Sequence, residues 1–336
     1  MLTVSYASHR YVAALFHRGG GDVNRLLQLR LRGTSIFCAA SDAVLMFEPA
    51  VDLFQPRDIE KSVYSAVEQK KSFSLIRCGD GESVVLGYPQ FVHEARFMMW
   101  MTNFFGTHAD APQRFEPLRT QLERAISDAD VVGTFREKVS DIEKARETAL
   151  TLGAIQNLTN DQKLELNQIE WRLLDHLIKP HLRRQSLLTT TNIHIKMEES
   201  GLLKTLAAEA GQLNLITGND VREKLEAAFP GTRITQHRVP TEYKFETSRA
   251  GWSESMPHFP DVFDQLMVQI KAGNFEGVTF IGAGPCGKIY ASAIKDAGGI
   301  AIDIGSIMDV WAGRNTRSFM LTMRQRTLMP GTRPDA

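Results

Sequence analysis

The stretch Val278-Thr279-Phe280-Ile281-Gly282-Ala283-Gly284-Pro285-Cys286-Gly287-Lys288 contains the pattern that decides the fold. Its apolar first part predicts a buried strand, its glycines predict a tight turn, and the residues from 288 to 297 predict a helix. A second apolar strand is expected over 299–304. Two strands that are joined by a helix form a crossover unit, which favours parallel pairing.

The same alternation extends through the chain and predicts an α/β fold. Crossover units build a mainly parallel sheet with helices on both faces. Ligands bind such sheets at the carboxyl ends of the strands. Strands are predicted over 72–77, 130–134, 192–196, 213–217, 233–239, 277–281 and 299–304.

The composition is that of an ordinary globular protein. The 336 residues include 39 Lys and Arg and 39 Asp and Glu, and the zero net charge argues against bulk electrostatic binding to nucleic acid. Three scattered cysteines form no disulfide framework or zinc motif, which favours a reducing, cytoplasmic location. No apolar window is long enough for a transmembrane helix, while loose association with a membrane surface stays open.

Two carboxylates follow the strand predicted over 72–77. Arg77 ends this strand, and Gly79, Asp80 and Glu82 lie in the segment after it. In a turn, side chains two residues apart can share one side, so Asp80 and Glu82 form a candidate site for Mg²⁺ or Mn²⁺. Arg77 can bind a phosphate through a forked pair of hydrogen bonds. A solvated tight turn is the alternative, since Gly and Asp are common in turns.

The glycine loop is a candidate phosphate site. Backbone N–H groups at a helix start attract anions, and Gly282 and Gly284 lie at this position. Asp303, on the next strand, lies near the offset of the ribose-binding acid in dinucleotide folds. A dinucleotide is disfavoured because Pro285 lacks an N–H donor and only about thirty residues follow Asp303. Close packing of helix and strand without a ligand is the other alternative.

Two segments together resemble a known family. Phe73-Ser74-Leu75-Ile76-Arg77, followed by Gly79-Asp80-Gly81-Glu82, is similar to the R-x-G-D-G-E opening of GT-D-type glycosyltransferases. Residues 281–288 and 301–305 resemble the closing G-P-x-x-K and D-I-G motifs of that family. The order and separation of these motifs fit over about residues 58–315. Ser306 stands where the family usually has a histidine.

The resemblance implies a Rossmann-like fold and a metal-dependent, hexosyltransferase-like enzyme. It implies a Mn²⁺ or Mg²⁺ ion on Asp80 and Glu82, a nucleotide-sugar donor, typically a UDP-sugar, and a glycan or glycoconjugate acceptor. The glycosyltransferase domain is expected over 58–315, with a helical insertion at about 113–180. Residues 1–57 are expected to form an N-terminal extension, with a short basic helix over 23–31, and residues 316–336 are expected to form a C-terminal tail.

Negative charge builds on the β-phosphate when the sugar leaves the donor. Arg77 and Lys288 are expected to help the metal neutralise this charge. Asp303 is expected to hold a ribose or sugar hydroxyl.

An inverting reaction also needs a base that takes the proton of the acceptor. Three titratable residues near strand ends are candidates, namely His237, Glu242 and Asp220. A plain structural role is the alternative for each of them.

Two rival functions remain open on the sequence. The glycine loop suits an NAD(P)-dependent oxidoreductase, and both loops also suit a non-catalytic Rossmann-like binding protein. UDP-sugar binding that requires Mn²⁺ and Asp80 separates the glycosyltransferase from both rivals.

Overall fold

The computed structural model describes residues 2–6, 9–13, 27–31, 34–38, 46–47, 56–106, 111–135, 139–242, 256–314 and 327. The chain divides into two compact units, Met1–Leu53 and Phe54–Ala336. No helix in the described ranges is both long enough and apolar enough to span a bilayer.

The first unit contains short antiparallel strands. The basic helix expected over 23–31 is wrong, because Leu27–Leu31 is a strand. The alternation Leu27-Gln28-Leu29-Arg30-Leu31 has the period of two that a strand requires. Strands β1 (Leu2–Tyr6) and β2 (His9–Ala13) form one pair, and β3 (Leu27–Leu31), β4 (Thr34–Cys38) and β5 (Met46–Phe47) form a three-stranded sheet.

The second unit is built on a parallel sheet. In the described part of the chain, seven strands form this sheet, and every neighbouring pair in it is parallel. The order is β10-β9-β11-β12-β6-β7-β8, which confirms the predicted α/β fold. The strands are β6 (Phe73–Arg77), β7 (Val131–Thr134), β8 (Leu187–Thr190), β9 (Gln212–Thr217), β10 (Arg233–Arg238), β11 (Val278–Gly282) and β12 (Ile300–Asp303).

Helices connect these strands. A short 3₁₀ turn precedes the fourth helix, another follows the sixth, and a π turn precedes the tenth. The helices are α1 (Pro56–Glu68), α2 (Asp80–Gly87), α3 (Glu94–Phe105), α4 (Glu116–Asp128), α5 (Ile142–Gly153), α6 (Asn160–Ile178), α7 (Ile193–Glu199), α8 (Leu202–Glu209), α9 (Arg222–Ala228), α10 (Phe263–Lys271), α11 (Gly284–Asp296) and α12 (Ile307–Trp311).

Two apolar layers cover the faces of the sheet. Ile76 and Ile281 belong to one layer, which also contains buried residues of α2, α3, α4, α10 and α11. Leu75 and Phe280, each one residue earlier on the same strands, belong to the other layer with α1, α7, α8, α9 and α12. Successive side chains of a strand point to opposite faces, so helices lie on both faces of the sheet, as the sequence predicts.

One predicted strand is wrong. Residues 192–196 were expected to be extended, but Ile193–Glu199 forms helix α7, and the strand is the preceding Leu187–Thr190. The Ile-His-Ile alternation suggests a period of two. The residues that are buried in the structure are Ile193, His194, Met197 and Glu198, whose spacing is helical.

Candidate active site

A cavity of about 420 Å³ lies at the carboxyl edge of the sheet. Segments that follow all seven strands line it, which is where ligands bind in parallel α/β folds. These segments contribute Asp80 after β6, Phe135 after β7, Asn192 after β8, Asn219 after β9, Glu242 after β10, Gly284 after β11 and Ser306 after β12.

A buried cluster of charges forms the floor of the cavity. The Lys288 ammonium, on the first turns of α11, lies 2.9 Å from Glu82 Oε1 and 3.0 Å from Asp303 Oδ2. It also donates to the carbonyl of Gly284 at 3.2 Å. All three charged side chains are at most 6 % exposed. Such a group is stable only when each charge has a partner.

Arg77 supplies the second cation of the cluster. Its Nη2 lies 3.3 Å from Asp303 Oδ1, and its Nε donates to the Asp303 carbonyl at 3.0 Å. Its Nη1 donates to the Thr191 carbonyl at 2.9 Å and lies 2.9 Å from Nδ1 of His194. A guanidinium only donates, so the histidine nitrogen that binds it must accept.

Two cations and two carboxylates therefore neutralise one another. Burial by itself would raise the pKa of Asp303, but Arg77 and Lys288 hold that pKa below its usual value. Burial by itself would lower the pKa of Lys288, but the carboxylates of Asp303 and Glu82 raise it above its usual value. Lys288 and Asp303 therefore stay charged at neutral pH.

Asp80 and Glu82, the two acids of the sequence motif, lie on a helix and not in the tight turn that the sequence predicts. They lie in the first turn of α2, where residues two apart are rotated by about 200° from each other. Glu82 turns inward, where its Oε2 accepts from the Gly79 N–H at 2.7 Å and its Oε1 faces Lys288. Asp80 is half-buried and lines the cavity, and its carboxylate makes no hydrogen bond or ion pair with any described residue.

This geometry changes the expected metal site without removing it. Both oxygens of Glu82 have protein partners, so the acids do not form a chelating pair as they stand. No group of three or more His, Cys, Asp and Glu side chains within the described ranges is arranged to hold a metal. The Asp80 carboxylate does fit Mg²⁺ or Mn²⁺, because such ions often take one carboxylate, several waters and the phosphates of a substrate.

The glycine loop brings its backbone close to the cavity. Gly282 and Gly284 both line it, and α11 begins at Gly284 with a φ of +55°, which favours glycine. A Cβ at Gly282 would lie 2.8 Å from the Gly305 carbonyl, so the loop also needs glycine for packing against the segment after β12. The helix start directs its positive end at the cavity.

Comparison with known proteins identifies the family. The GT-D-like family, described as a GT-D fold-like domain, matches residues 54–311. The chain belongs to this family. No curated protein matches it. A solved selenomethionine-substituted structure, titled as domain of unknown function 1792, is 12 % identical, with a TM-score of 0.38 over 75 % of this chain and 83 % of that chain.

Membership of the GT-D-like family suggests glycosyltransferase activity. The predicted residues Arg77, Gly79, Asp80, Glu82, Glu242, Gly282, Gly284 and Lys288 all line the cavity of this GT-D-like domain. Asp303, expected to hold a hydroxyl, instead lies beneath the cavity, 1 % exposed, with its carboxylate bound to Arg77 and Lys288. It is an anchor for the two cations.

Two candidate bases lie away from the cavity of the GT-D-like domain. His237 is on the edge strand β10, where its ring stacks on Phe275 with centroids 4.3 Å apart. Burial lowers its pKa. Asp220 is exposed after β9. Neither residue lines the cavity, so of the three candidates only Glu242 is placed to meet a substrate there.

Sequence reasoning missed two polar residues of this GT-D-like site. His194, the first-turn residue of α7 that contacts Arg77, also lies 3.4 Å from the Ser306 hydroxyl through its Nε2. Asn219 is 4 % exposed, lines the cavity and donates through Nδ2 to Asp309 at 2.7 Å. The Oδ1 of Asn219 has no partner among the described residues, so a ligand N–H or O–H would satisfy it. His194 was missed because residues 192–196 were predicted to form a strand, which gave no reason to place this side chain beside Arg77.

Aromatic side chains form another wall of the GT-D-like site. Trp100, Phe104 and Phe105 come from α3 and are mostly buried. Phe135 and Trp171 line the cavity at the end nearest β7. No simple spacing in the sequence brings these residues together, because they come from separate helices and a strand end.

Proposed function

We propose that this chain is a metal-dependent glycosyltransferase. It moves a sugar from a nucleotide-sugar donor, a UDP-sugar, to a glycan or glycoconjugate acceptor. The observation that carries the proposal is a single cavity lined by the start of α11, by Arg77 and Lys288, and by the carboxylate of Asp80, which has no partner among the described residues. This combination suits a diphosphate and a cation that binds it.

The backbone and the cations would bind the diphosphate. The N–H groups at the start of α11 and the positive end of that helix favour the phosphate oxygens. Arg77 and Lys288 are held in place by buried carboxylates, so their charges need no rearrangement when the bond to the sugar breaks. Preorganised charge of this kind stabilises the departing diphosphate.

Asp80 would hold Mn²⁺ or Mg²⁺ against the phosphates. A bound divalent ion there supplies additional shielding of the charge on the leaving group. Glu82 serves a different purpose in this proposal, because it fixes Lys288 and caps α2.

Two further residues complete the proposal. The unpartnered Oδ1 of Asn219 suits the N–H of a uracil ring, which supports a uridine nucleotide at the β9 end. Glu242 also lines the cavity, after β10 and on the same side as Asn219, where it would contact the nucleoside of the donor.

Calorimetry and a release assay test the proposal. UDP is titrated into the protein with and without Mn²⁺, and UDP release from a panel of nucleotide sugars is measured. We expect binding that needs the metal and at least a hundredfold loss of release in Asp80→Asn. The matched control Asp161→Asn removes an exposed carboxylate of α6 outside the cavity and should change neither quantity. Absence of UDP binding in every condition would refute the function.

A further inference from the structure

The aromatic pair at the β7 end of the cavity is the basis of this inference. Phe135 directly follows β7, and Trp171 projects from α6. Their rings are nearly parallel, at 16°, with centroids 5.4 Å apart. Such an offset stack fixes the orientation of the indole.

The indole is both held in place and accessible. Trp171 is 37 % exposed, whereas Trp100, which also lines the cavity, is 9 % exposed. The preceding residue, Glu170, forms a buried double hydrogen bond with Arg96, at 2.9 and 2.7 Å, which ties α6 to α3. A large ring that is rigidly supported but left open at a cavity is typical of a ligand contact.

The position of the pair separates it from the phosphate region. From β9, which precedes Asn219, to β7, which precedes Phe135, there are four strand spacings, or about 19 Å. The charged floor after β12 and β6 lies between these two ends. A donor with its nucleoside at Asn219 and its diphosphate at the floor therefore directs its sugar towards the aromatic end.

The chemistry of the aromatic end favours an uncharged ring. The described lysines and arginines that line the cavity, Arg77, Lys288 and Arg314, belong to the floor or to the segment after α12. Polar uncharged groups lie at the adjacent end of β8, where Asn192 is exposed and Thr191 is half-buried. A flat apolar surface beside amide and hydroxyl groups matches a sugar ring, which has C–H faces and a rim of hydroxyls.

We propose that Phe135 and Trp171 form the acceptor subsite, in which a neutral sugar ring of the acceptor stacks on the indole. The subsite rests on the proposed function, because it places the acceptor where the donor sugar is presented. It also makes the acceptor a carbohydrate at the point of transfer.

Three variants test the subsite. Trp171→Ala removes the ring, Trp171→Phe keeps an aromatic face, and Leu164→Ala removes an exposed apolar side chain, 55 % exposed, from the same helix outside the cavity. The probes are cellotriose, chitotriose and maltotriose. Transfer to each trisaccharide and UDP release without acceptor are measured, and direct binding is followed by saturation-transfer NMR.

Trp171→Ala should raise the acceptor KM about tenfold and weaken the saturation transfer from the protein to the sugar, while UDP release without acceptor stays within about twofold. Trp171→Phe should stay within about threefold of the native KM, and Leu164→Ala should match the native protein. An unchanged acceptor KM in Trp171→Ala overturns the subsite. So does a weakened UDP affinity, which would place the nucleobase on the indole, and so does the absence of binding by all three trisaccharides.

The two proposals fail in different ways. If UDP neither binds nor is released, the proposed function fails even when a trisaccharide binds at Trp171. If UDP is released normally and Trp171→Ala leaves the acceptor KM unchanged, only the acceptor subsite fails.

Discussion

Replacing Lys288 with methionine should destabilise the domain by about 3–5 kcal/mol at pH 7, the usual cost of breaking a buried ion pair. The ammonium lies 2.9 Å from Glu82 and 3.0 Å from Asp303, and both carboxylates are buried. Methionine keeps the unbranched apolar stem but removes the charge. Asp303 then keeps the Arg77 guanidinium as a partner, whereas Glu82 loses the cation that faces it.

The loss should depend on pH in a defined direction. In the native protein the pKa of Asp303 is lowered, so this group stabilises the fold above pH 4 and loses that contribution only as the pH falls through its folded pKa. Without Lys288, the pKa of Asp303 should rise. The folded variant then takes up a proton more readily than the unfolded chain, and its deficit in stability should shrink between pH 7 and pH 4.

Urea unfolding at pH 4, 5, 6 and 7 measures this deficit. Adding Glu82→Gln to Lys288→Met removes one uncompensated charge and should restore about 1–3 kcal/mol at pH 7. The exposed Lys271→Met is the control and should cost less than about 0.5 kcal/mol. A Lys288→Met deficit below about 1 kcal/mol, or one that does not change with pH, would refute the reasoning.

Three other changes have defined outcomes. Burial lowers the pKa of His258 to about 3, so stability should fall by about 1.4 kcal/mol per pH unit below pH 6, and urea unfolding of His258→Gln should lack this slope. Gly305→Ala places a Cβ against Arg77 Nη2 at a φ of +47° and should cost about 1–3 kcal/mol by urea unfolding, together with most UDP release. Asp80→Asn should leave the free energy of unfolding within about 0.5 kcal/mol, whereas Glu82→Gln should lower it by about 1–3 kcal/mol.

Each of these predictions has a contrary result. If the free energy of unfolding falls equally steeply with pH in His258→Gln and in the native protein, a group other than His258 causes the slope. A Gly305→Ala variant of native stability and activity would mean that Arg77 moves aside at no cost. Equal effects of Asp80→Asn and Glu82→Gln on unfolding would contradict the opposite orientations of these two side chains.

Local patterns were sufficient to predict six of the seven strands that the described residues place in the parallel sheet, and the edge at which the cavity lies. The apolar runs that end at Arg77 and Ile281 are strands in the structure, and the loops after them line one cavity. Parallel crossover units bring the carboxyl ends of strands to one edge whatever the intervening sequence, so residues from both ends of the domain were correctly expected to meet there.

Side-chain direction could not be predicted in the same way. Asp80 and Glu82 share one side in a turn but diverge in a helix, and the short Gly-Asp-Gly segment is compatible with both. The structure selects the helix because Glu82 accepts from the Gly79 N–H and binds Lys288, more than two hundred residues later. Partners at such separations leave no periodic signal. The contact between His194 and Arg77 could not be predicted for the same reason.

The place of β12 in the sheet has a consequence for biosynthesis. It is the last strand in the described part of the chain, yet it lies in the middle of the sheet, between β11 and β6. A ribosome must therefore release residue 303 before the two halves of the sheet can join. Pairing between segments so far apart in the chain is slow. We expect nascent chains that stop before β12 to remain open to proteases, and the edge of the sheet that holds the cavity to assemble in one late step after translation has passed this strand.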